Sequence, residues 1–301
     1  MAHIEFPQNN FGTNLSKSNF MIMYKLINCI VCVFFICFFI VNKTGKEYGL
    51  RRFKKLKLVF KIFLINKNRK DFIFPLFQHV FLIHEILMQP KSLKGDVVEC
   101  GCGNGISTIS LSLACALTNR RLIVCDSFEG LPEPKKDEKY VFFRHINKYS
   151  LWQKGQYASA GGLEGVKERI EKCGNIEACD FIKGYFKDIL KDSNIDSIIL
   201  IFVDADLVSS VKDCLRYLWP KLQEGCKFYS HEPWSMDVVS LFFNKDWWEK
   251  ELKTDPPGFY FSGGIIGGLG YAIKSDTSKI KYSCEEMVDF DTKDAKIEDK
   301  Y

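Results

Sequence analysis

The chain lacks a compact, evenly spaced cysteine framework, although it holds 12 cysteines among its 301 residues. Several sit inside apolar runs (Cys29, Cys32, Cys37) or at predicted strand ends (Cys100, Cys125). That distribution excludes a disulfide-stapled scaffold and reads as buried or membrane-facing thiols in a reducing compartment. Cys100 and Cys102 stand too close together for the usual zinc pair, and no Cys/His pair with finger spacing follows them, which excludes a structural zinc module. A strong charge of one sign is also missing. The net charge is +5, its excess lies between Lys43 and Lys70, and the end after Cys284 is acidic, so a general nucleic-acid binder is not expected. No internal repeat is present.

What is present is the composition of an ordinary globular protein, 47% hydrophobic and 26% charged, enough for a full-sized core. The length suits one catalytic domain with an N-terminal appendage. The expected division is a tail over 1–20, an apolar segment over 21–41, a basic segment over 42–70, a catalytic domain over 71–282 and an acidic tail over 283–301. The run from Leu26 to Val41 is uncharged and apolar apart from its polar Asn28, and Met21 to Tyr24 extends it across Lys25. This approaches the ~17–25 apolar residues that span a bilayer. No small-x-small cleavage site follows Val41, so the expectation is a single-pass transmembrane anchor. Lys43, Lys46, Arg51, Arg52, Lys54, Lys55, Lys57 and Lys61 follow it, which places the catalytic part on the cytosolic side. Residues 48–65 mix these bases with Leu58, Val59, Phe60, Ile62, Phe63 and Leu64, a pattern suited to a helix on an anionic lipid surface or to a solvated linker.

After Phe72 strands and helices alternate, which predicts a mostly parallel sheet covered on both faces. Strands are expected at Asp96–Cys100, Arg121–Cys125, Asp180–Gly184, Ser197–Val203 and Cys226–Ser230, with a closing edge strand at Gly270–Lys274. Ser197–Val203 is the most apolar and is expected at the centre. Helices are expected over Ile106–Leu117 and Leu163–Lys172, and along a face carrying Leu207, Val211, Cys214, Leu215 and Leu218.

The clearest chemical signal is Glu99-Cys-Gly101-Cys-Gly103-Asn-Gly105, set between a strand and a helix. Glycine there lets the backbone approach a ligand. The position of a third dinucleotide-fold glycine is Ile106, so the pattern is E-x-G-x-G-x-G, which suits a nucleoside without a pyrophosphate. Glu99 at the strand end could attract an ammonium, and Asp126, closing the next strand, has the spacing of the acid that accepts from ribose hydroxyls.

The strings Val97-Val-Glu-Cys-Gly-Cys-Gly-Asn-Gly105, Cys125-Asp-Ser-Phe-Glu-Gly-Leu-Pro-Glu-Pro134, Phe181-Ile-Lys-Gly-Tyr-Phe-Lys-Asp188, Val203-Asp-Ala-Asp-Leu207 and Tyr217-Leu-Trp-Pro-Lys-Leu222 together resemble the macrocin/mycinamicin O-methyltransferase family over roughly residues 90 to 275. The resemblance implies a Rossmann-like α/β fold with a mostly parallel seven-stranded sheet and helices on both faces. It also implies S-adenosylmethionine as cofactor. Glu99, Gly101 and Gly103 would line its methionine moiety, Asp126 and Ser127 its ribose, and Gly184, Tyr185 and Phe186 its adenine side.

Asp204 ends the central strand, where open α/β sheets place their ligand crevice. In the family it resembles, the first aspartate of Asp-x-Asp is a magnesium ligand and candidate base, and an acidic pair after the next strand completes the site. Here that pair is His231-Glu232. The implied metal set is Asp204, His231 and Glu232, with Mg2+ or, given the imidazole, another divalent ion. Asp204 and His231 are the catalytic candidates, since an imidazole can take the proton of an attacking hydroxyl.

The insertion from Lys135 to Gly162, with His145, Tyr157 and other aromatics, is read as a lid or a packed loop. Trp234, Trp247 and Trp248 are read as core or as a pocket wall. The expected activity is O-methylation of a small-molecule, sugar or lipid-linked hydroxyl, with a homo-oligomer as a further possibility. Two alternatives stand beside it. One is a membrane-anchored glycosyltransferase using Asp204-x-Asp206 to hold a metal-nucleotide-sugar, and the other is an inactive methyltransferase-fold scaffold.

Overall fold

A computed structural model of the chain describes residues 17–67, 73–138, 140–143, 148–261 and 268–275. Three helices come first: α1 (Lys17–Val41), α2 (Arg52–Asn66) and α3 (Ile73–Met88). The alternating part follows as β1 (Asp96–Cys100), α4 (Ile106–Thr118), β2 (Leu122–Asp126), β3 (Tyr140–Phe143), β4 (Lys148–Leu151), α5 (Gly162–Cys173), β5 (Cys179–Lys183) and α6 (Phe186–Ile189). It continues with β6 (Ile198–Val203), α7 (Val208–Leu218), β7 (Leu222–Ser230), α8 (Met236–Leu241), α9 (Lys245–Leu252) and β8 (Gly270–Ile273).

Among the described residues the main sheet has six strands in the order β5-β2-β1-β6-β7-β8, not the expected seven. All neighbours are parallel except β8, which pairs antiparallel with β7. All six residues of β6 are buried. Successive strand side chains point to opposite faces, so this run needs apolar cover on both sides of the sheet. The chain steps outward from β1 through β2 to β5, then returns to lay β6 against the other side of β1. That reversal opens a crevice at the carboxyl ends of β1 and β6. The insertion after β2 forms the hairpin β3-β4. His145, Gly263, Gly264, Gly267 and the acidic tail 283–301 lie outside the described residues.

The expected transmembrane anchor finds no support among the described residues. Among the described residues no helix is long and apolar enough to cross a membrane. The helix α1 is docked along one side. Cys32 and Phe39 are buried, and Phe35 packs against Phe77 and Phe81 of α3, with ring centroids 5.1 and 5.5 Å apart. Burying a phenylalanine such as Phe39 contributes about 2–3 kcal/mol. The basic stretch after α1 is likewise a packed helix: α2 buries Leu58, Val59 and Ile62. Lys55 is also buried, and its ammonium donates to the carbonyls of Phe39 and Asn42 at 3.0 and 2.8 Å. It thereby satisfies carbonyls left open at the end of α1. A single apolar cluster runs from Cys32 to Ala272, so these helices share the core of the sheet.

The described cysteines are all free thiols. Cys100, Cys115, Cys125 and Cys214 are completely buried, and burial is the main cause that raises the thiols of Cys100, Cys115 and Cys214. For Cys125 the hydrogen bond with Cys100 raises the thiol most, and burial adds to it.

Candidate active site

Backbone bonds between neighbouring strands continue past the strand ends and bring the predicted residues into adjacent rows. Gly101 N–H donates to Cys125 O, Asp204 N–H to Cys100 O, His231 N–H to Val203 O and Gly184 N–H to Asp126 O, each at 2.9 Å. A cavity of about 920 Å³ opens over these ends. Gly101, Gly103, Asp126, Ser127, Gly184, Tyr185, Phe186, Asp204 and His231 all line it.

Two of the glycines act differently. A Cβ on Gly101 would stand 1.9 Å from the Asp204 carbonyl oxygen, so this position exists to let β1 and β6 close on each other. Gly103 has φ +49° and nothing within 4 Å of a Cβ built there, so it leaves open space beside the bend.

Asp126 holds the bend in place. Its Oδ2 accepts from the N–H groups of Cys102 (2.7 Å) and Gly103 (3.2 Å), and its Oδ1 from Phe128 N–H (2.6 Å). A carboxylate offers about four lone-pair sites, so one remains for a hydroxyl donor in the cavity. Ser127 accepts from Glu129 N–H and donates to Gly130 O, which shapes the turn that follows.

Glu99 does not line the cavity as expected. It is completely buried beneath the bend. Burial pushes its carboxyl up to about 7, with the Ser107 and Thr108 hydroxyls nearby pulling the other way. The side chain is sealed under the loop instead of facing the cavity directly.

At the other end of the cavity, oxygens of Asp204, Asp206 and Glu232 lie within 4.8 Å of one another. This trio is a group that could hold a metal ion, and it differs from the expected set by containing Asp206 and not His231. His231 Nδ1 lies 3.2 Å from Asp204 Oδ1. Glu232 Oε1 accepts from the N–H groups of Ala205 (2.9 Å) and Asp206 (3.1 Å), and Ser230 Oγ donates to Oε2. Those bonds fold the Asp204-Ala-Asp206 turn over Glu232 and hold Asp206 at φ +57°. Burial pushes Asp206 up to about 8, helped by Asp204 and Glu232. Burial and Asp204 push Glu232 up to about 7. For His231 burial disfavours the cation, yet Asp204, Glu232 and Asp206 together outweigh it and hold the imidazole up at about 9.

Several contacts had no signal in local spacing. Ser159 Oγ, at the far end of the insertion, donates to Gly103 O at 2.5 Å, and Arg169 Nε of α5 to Asn104 O at 2.9 Å, and together they clamp the glycine bend. Glu138 accepts from both the N–H and the Oγ of Ser209, tying the start of the insertion to α7. Gln78, His79 and Leu82 of α3 supply another wall of the cavity, and Tyr157 of the insertion lines it too. Of the three tryptophans Trp248 follows the core reading: it is fully buried, packed edge-on against Trp219 and Trp247.

Comparison with known proteins gives a consistent picture. Residues 81–229 match the family model described as macrocin-O-methyltransferase (TylF). The chain is 33% identical over 135 residues to the 8-demethyl-8-(2,3-dimethoxy-alpha-L-rhamnosyl)-tetracenomycin-C 4'-O-methyltransferase of Streptomyces olivaceus, covering 44% of this chain and 50% of that protein. It is 28% identical over 138 residues to the demethyldecarbamoylnovobiocin O-methyltransferase of Streptomyces niveus, covering 44% and 51%. The chain thus spans about half the length of the curated relatives it matches. Among solved structures, the O-methyltransferase NovP aligns with a TM-score of 0.56 at 20% identity, over 73% of this chain and 98% of that one. At that identity the likeness establishes the fold.

Proposed function

We propose that this chain, which carries a macrocin-O-methyltransferase family region over residues 81–229, is an S-adenosylmethionine-dependent O-methyltransferase acting on a hydroxyl of a sugar or other small-molecule acceptor. The observation that carries this reading is the single cavity into which five parallel strands deliver a glycine bend at one end and a paired aspartate and histidine at the other. The names of the two curated relatives, both O-methyltransferases and one acting on a rhamnosyl compound, favour a glycoside hydroxyl. The catalytic body is the segment 71–282, with α1 and α2 packed onto it.

In this reading the cofactor lies across the bend, its methionine end over Gly101 and Gly103, its ribose against Asp126 and Ser127, and its adenine toward Gly184, Tyr185 and Phe186. The open face at Gly103 is the space such a ligand needs. The acceptor enters beside Tyr157 and Asp206. Its hydroxyl gives its proton to the neutral form of His231, which the acid cluster keeps in the minority below about pH 9, while the oxygen attacks the sulfonium methyl, and Asp204 orients the imidazole and stabilises the imidazolium that forms. One O–C bond forms, the S–CH3 bond breaks, and S-adenosylhomocysteine leaves.

Asp204, Asp206 and Glu232 would hold a divalent cation. Three closely set carboxylate oxygens suit a hard ion such as Mg2+, although Glu232 already accepts three hydrogen bonds. A bound ion would acidify the acceptor hydroxyl and relieve the repulsion among these acids.

Calorimetry of the full chain with S-adenosylmethionine and S-adenosylhomocysteine tests the reading, together with turnover on a panel of glycosides. Binding that Gly103→Leu abolishes, and turnover that His231→Ala removes without loss of binding, are the expected results. No binding of either nucleoside would overturn the proposal.

A further inference from the structure

The α1–α2 hairpin leaves a large apolar surface without cover. On α1, Leu26, Ile30, Val33, Phe34, Phe38 and Val41 are all between 47% and 71% exposed. At 100° per residue they form one stripe, opposite the face that docks Cys32, Phe35 and Phe39 onto α3. On α2, Phe53, Leu56, Phe60 and Leu64 are 66%, 50%, 58% and 42% exposed. They fall on one line directly opposite the buried Leu58, Val59 and Ile62. Both helices pack against α3 and against each other, so their outward faces adjoin. Exposed apolar area on this scale marks an interaction site.

Charge identifies the occupant. Lys54, Lys57 and Lys61 run along one edge of the α2 stripe and Arg52 along the other, all exposed. Lys57 lies over the Phe53 ring, 4.6 Å from its centroid. Over residues 17–67 the sequence has eleven Lys and Arg and a single acid, Glu47, which accepts from Lys91 N–H outside the stripe. A second copy of the chain would bring these rows of like charge together, and a protein partner would have to supply a wholly apolar, acid-rimmed groove. A bilayer with anionic headgroups meets both demands at once, taking the aromatic and aliphatic side chains among its acyl chains and the lysines among its phosphates.

We propose that the outer face of the α1–α2 hairpin is a monotopic membrane-binding surface that seats the protein on an anionic bilayer without crossing it. α3 has the hairpin on one side and contributes Gln78, His79 and Leu82 to the cavity on the other. Asn66, the last residue of α2, hydrogen-bonds His79 at 3.2 Å. This wall of the cavity is thereby one helix layer from the proposed lipid face. The proposal does not rest on methyl transfer, and its test reads binding alone.

The test is co-sedimentation of the full chain with vesicles of phosphatidylcholine, with and without phosphatidylserine. Binding should require phosphatidylserine and weaken as salt rises. The variant Lys54→Glu/Lys57→Glu/Lys61→Glu should lose on the order of a hundredfold in vesicle affinity, and Phe53→Ser/Phe60→Ser should lose binding at every salt concentration. All five positions are exposed, and thermal melts matching the unsubstituted chain verify folding. If the triple variant melts early, Lys57→Gln/Lys61→Gln serves in its place, with a smaller loss expected. Equal sedimentation with neutral and anionic vesicles, no sedimentation with either, or a stable dimer that Phe60→Ser converts to monomer would each overturn the proposal.

Discussion

The two ends of the cavity are organised by different physics. The glycine bend is pinned by hydrogen bonds: Asp126 takes three backbone N–H groups, and Ser159 and Arg169 bind the carbonyls of the bend. Across the cavity, three acids and an imidazole crowd together and shift one another's protonation. Geometry at the first end is fixed by the backbone, whereas at the second it is set by charge and follows pH. A nucleoside that must be held in one pose fits the rigid end, and a reaction that moves a proton fits the titrating one.

The sharpest break of this contrast is His231→Ala. It should lower kcat by about 10²–10⁴-fold while leaving the calorimetric affinity for S-adenosylhomocysteine nearly unchanged. Equal losses in both would mean that the two ends are not separable. Asp126→Ala should do the reverse, weakening cofactor binding by about tenfold to a hundredfold, because it frees three N–H groups and loosens the bend. If titration calorimetry finds the affinity intact, the pinning role is wrong.

A smaller effect is expected at the insertion. Glu138→Gln keeps the shape but replaces one acceptor oxygen with a donor facing Ser209, so the acceptor KM should rise about threefold to tenfold with kcat little changed. A steady-state assay in which KM stays fixed would show that the tie to α7 does not position the insertion.

Stability should show the subtlest difference. The acids Asp206 and Glu232 move from ordinary values of 3.8 and 4.5 to about 8 and about 7 in the folded protein, and His231 from 6.5 to about 9. In each case the folded form holds its proton to higher pH than the unfolded form, so stability falls as pH rises from about 4 to about 9. Scanning calorimetry in chelator should record a declining Tm across that window, and Asp206→Asn should flatten its lower part. Added Mg2+ should raise Tm at pH 8 more than at pH 5. A Tm that climbs toward pH 8 in chelator would contradict the crowded-acid picture.

How much of this was legible in the sequence depended on range. The bend, the buried strand Ile198–Val203 and the strand-end positions of Asp126 and Asp204 were readable because each is a local pattern of residue type and spacing. Glu138 with Ser209, 71 positions apart, and Asn104 with Arg169, 65 apart, were invisible because only the folded topology brings them together. The acid cluster was half readable. Asp206 sits in the Asp-x-Asp string, but its approach to Glu232 depends on a left-handed turn. The packing of α1 was not readable for a different reason: hydrophobicity reports that a surface avoids water and says nothing about whether lipid or Phe77 and Phe81 will cover it. Glu99 was identified by its place in the motif, while its depth below the loop was not encoded there.

The sealed thiols carry a practical consequence. Cys100, Cys115, Cys125 and Cys214 are fully enclosed around the middle of the sheet, whereas Cys37 on α1 is exposed. An alkylating reagent should therefore label Cys37 at once and reach the other four only when the sheet itself opens. The molecule thus carries its own clock for global opening, with a fast-labelling reference in the same chain, and mass spectrometry of labelled peptides can time it without any engineered tag.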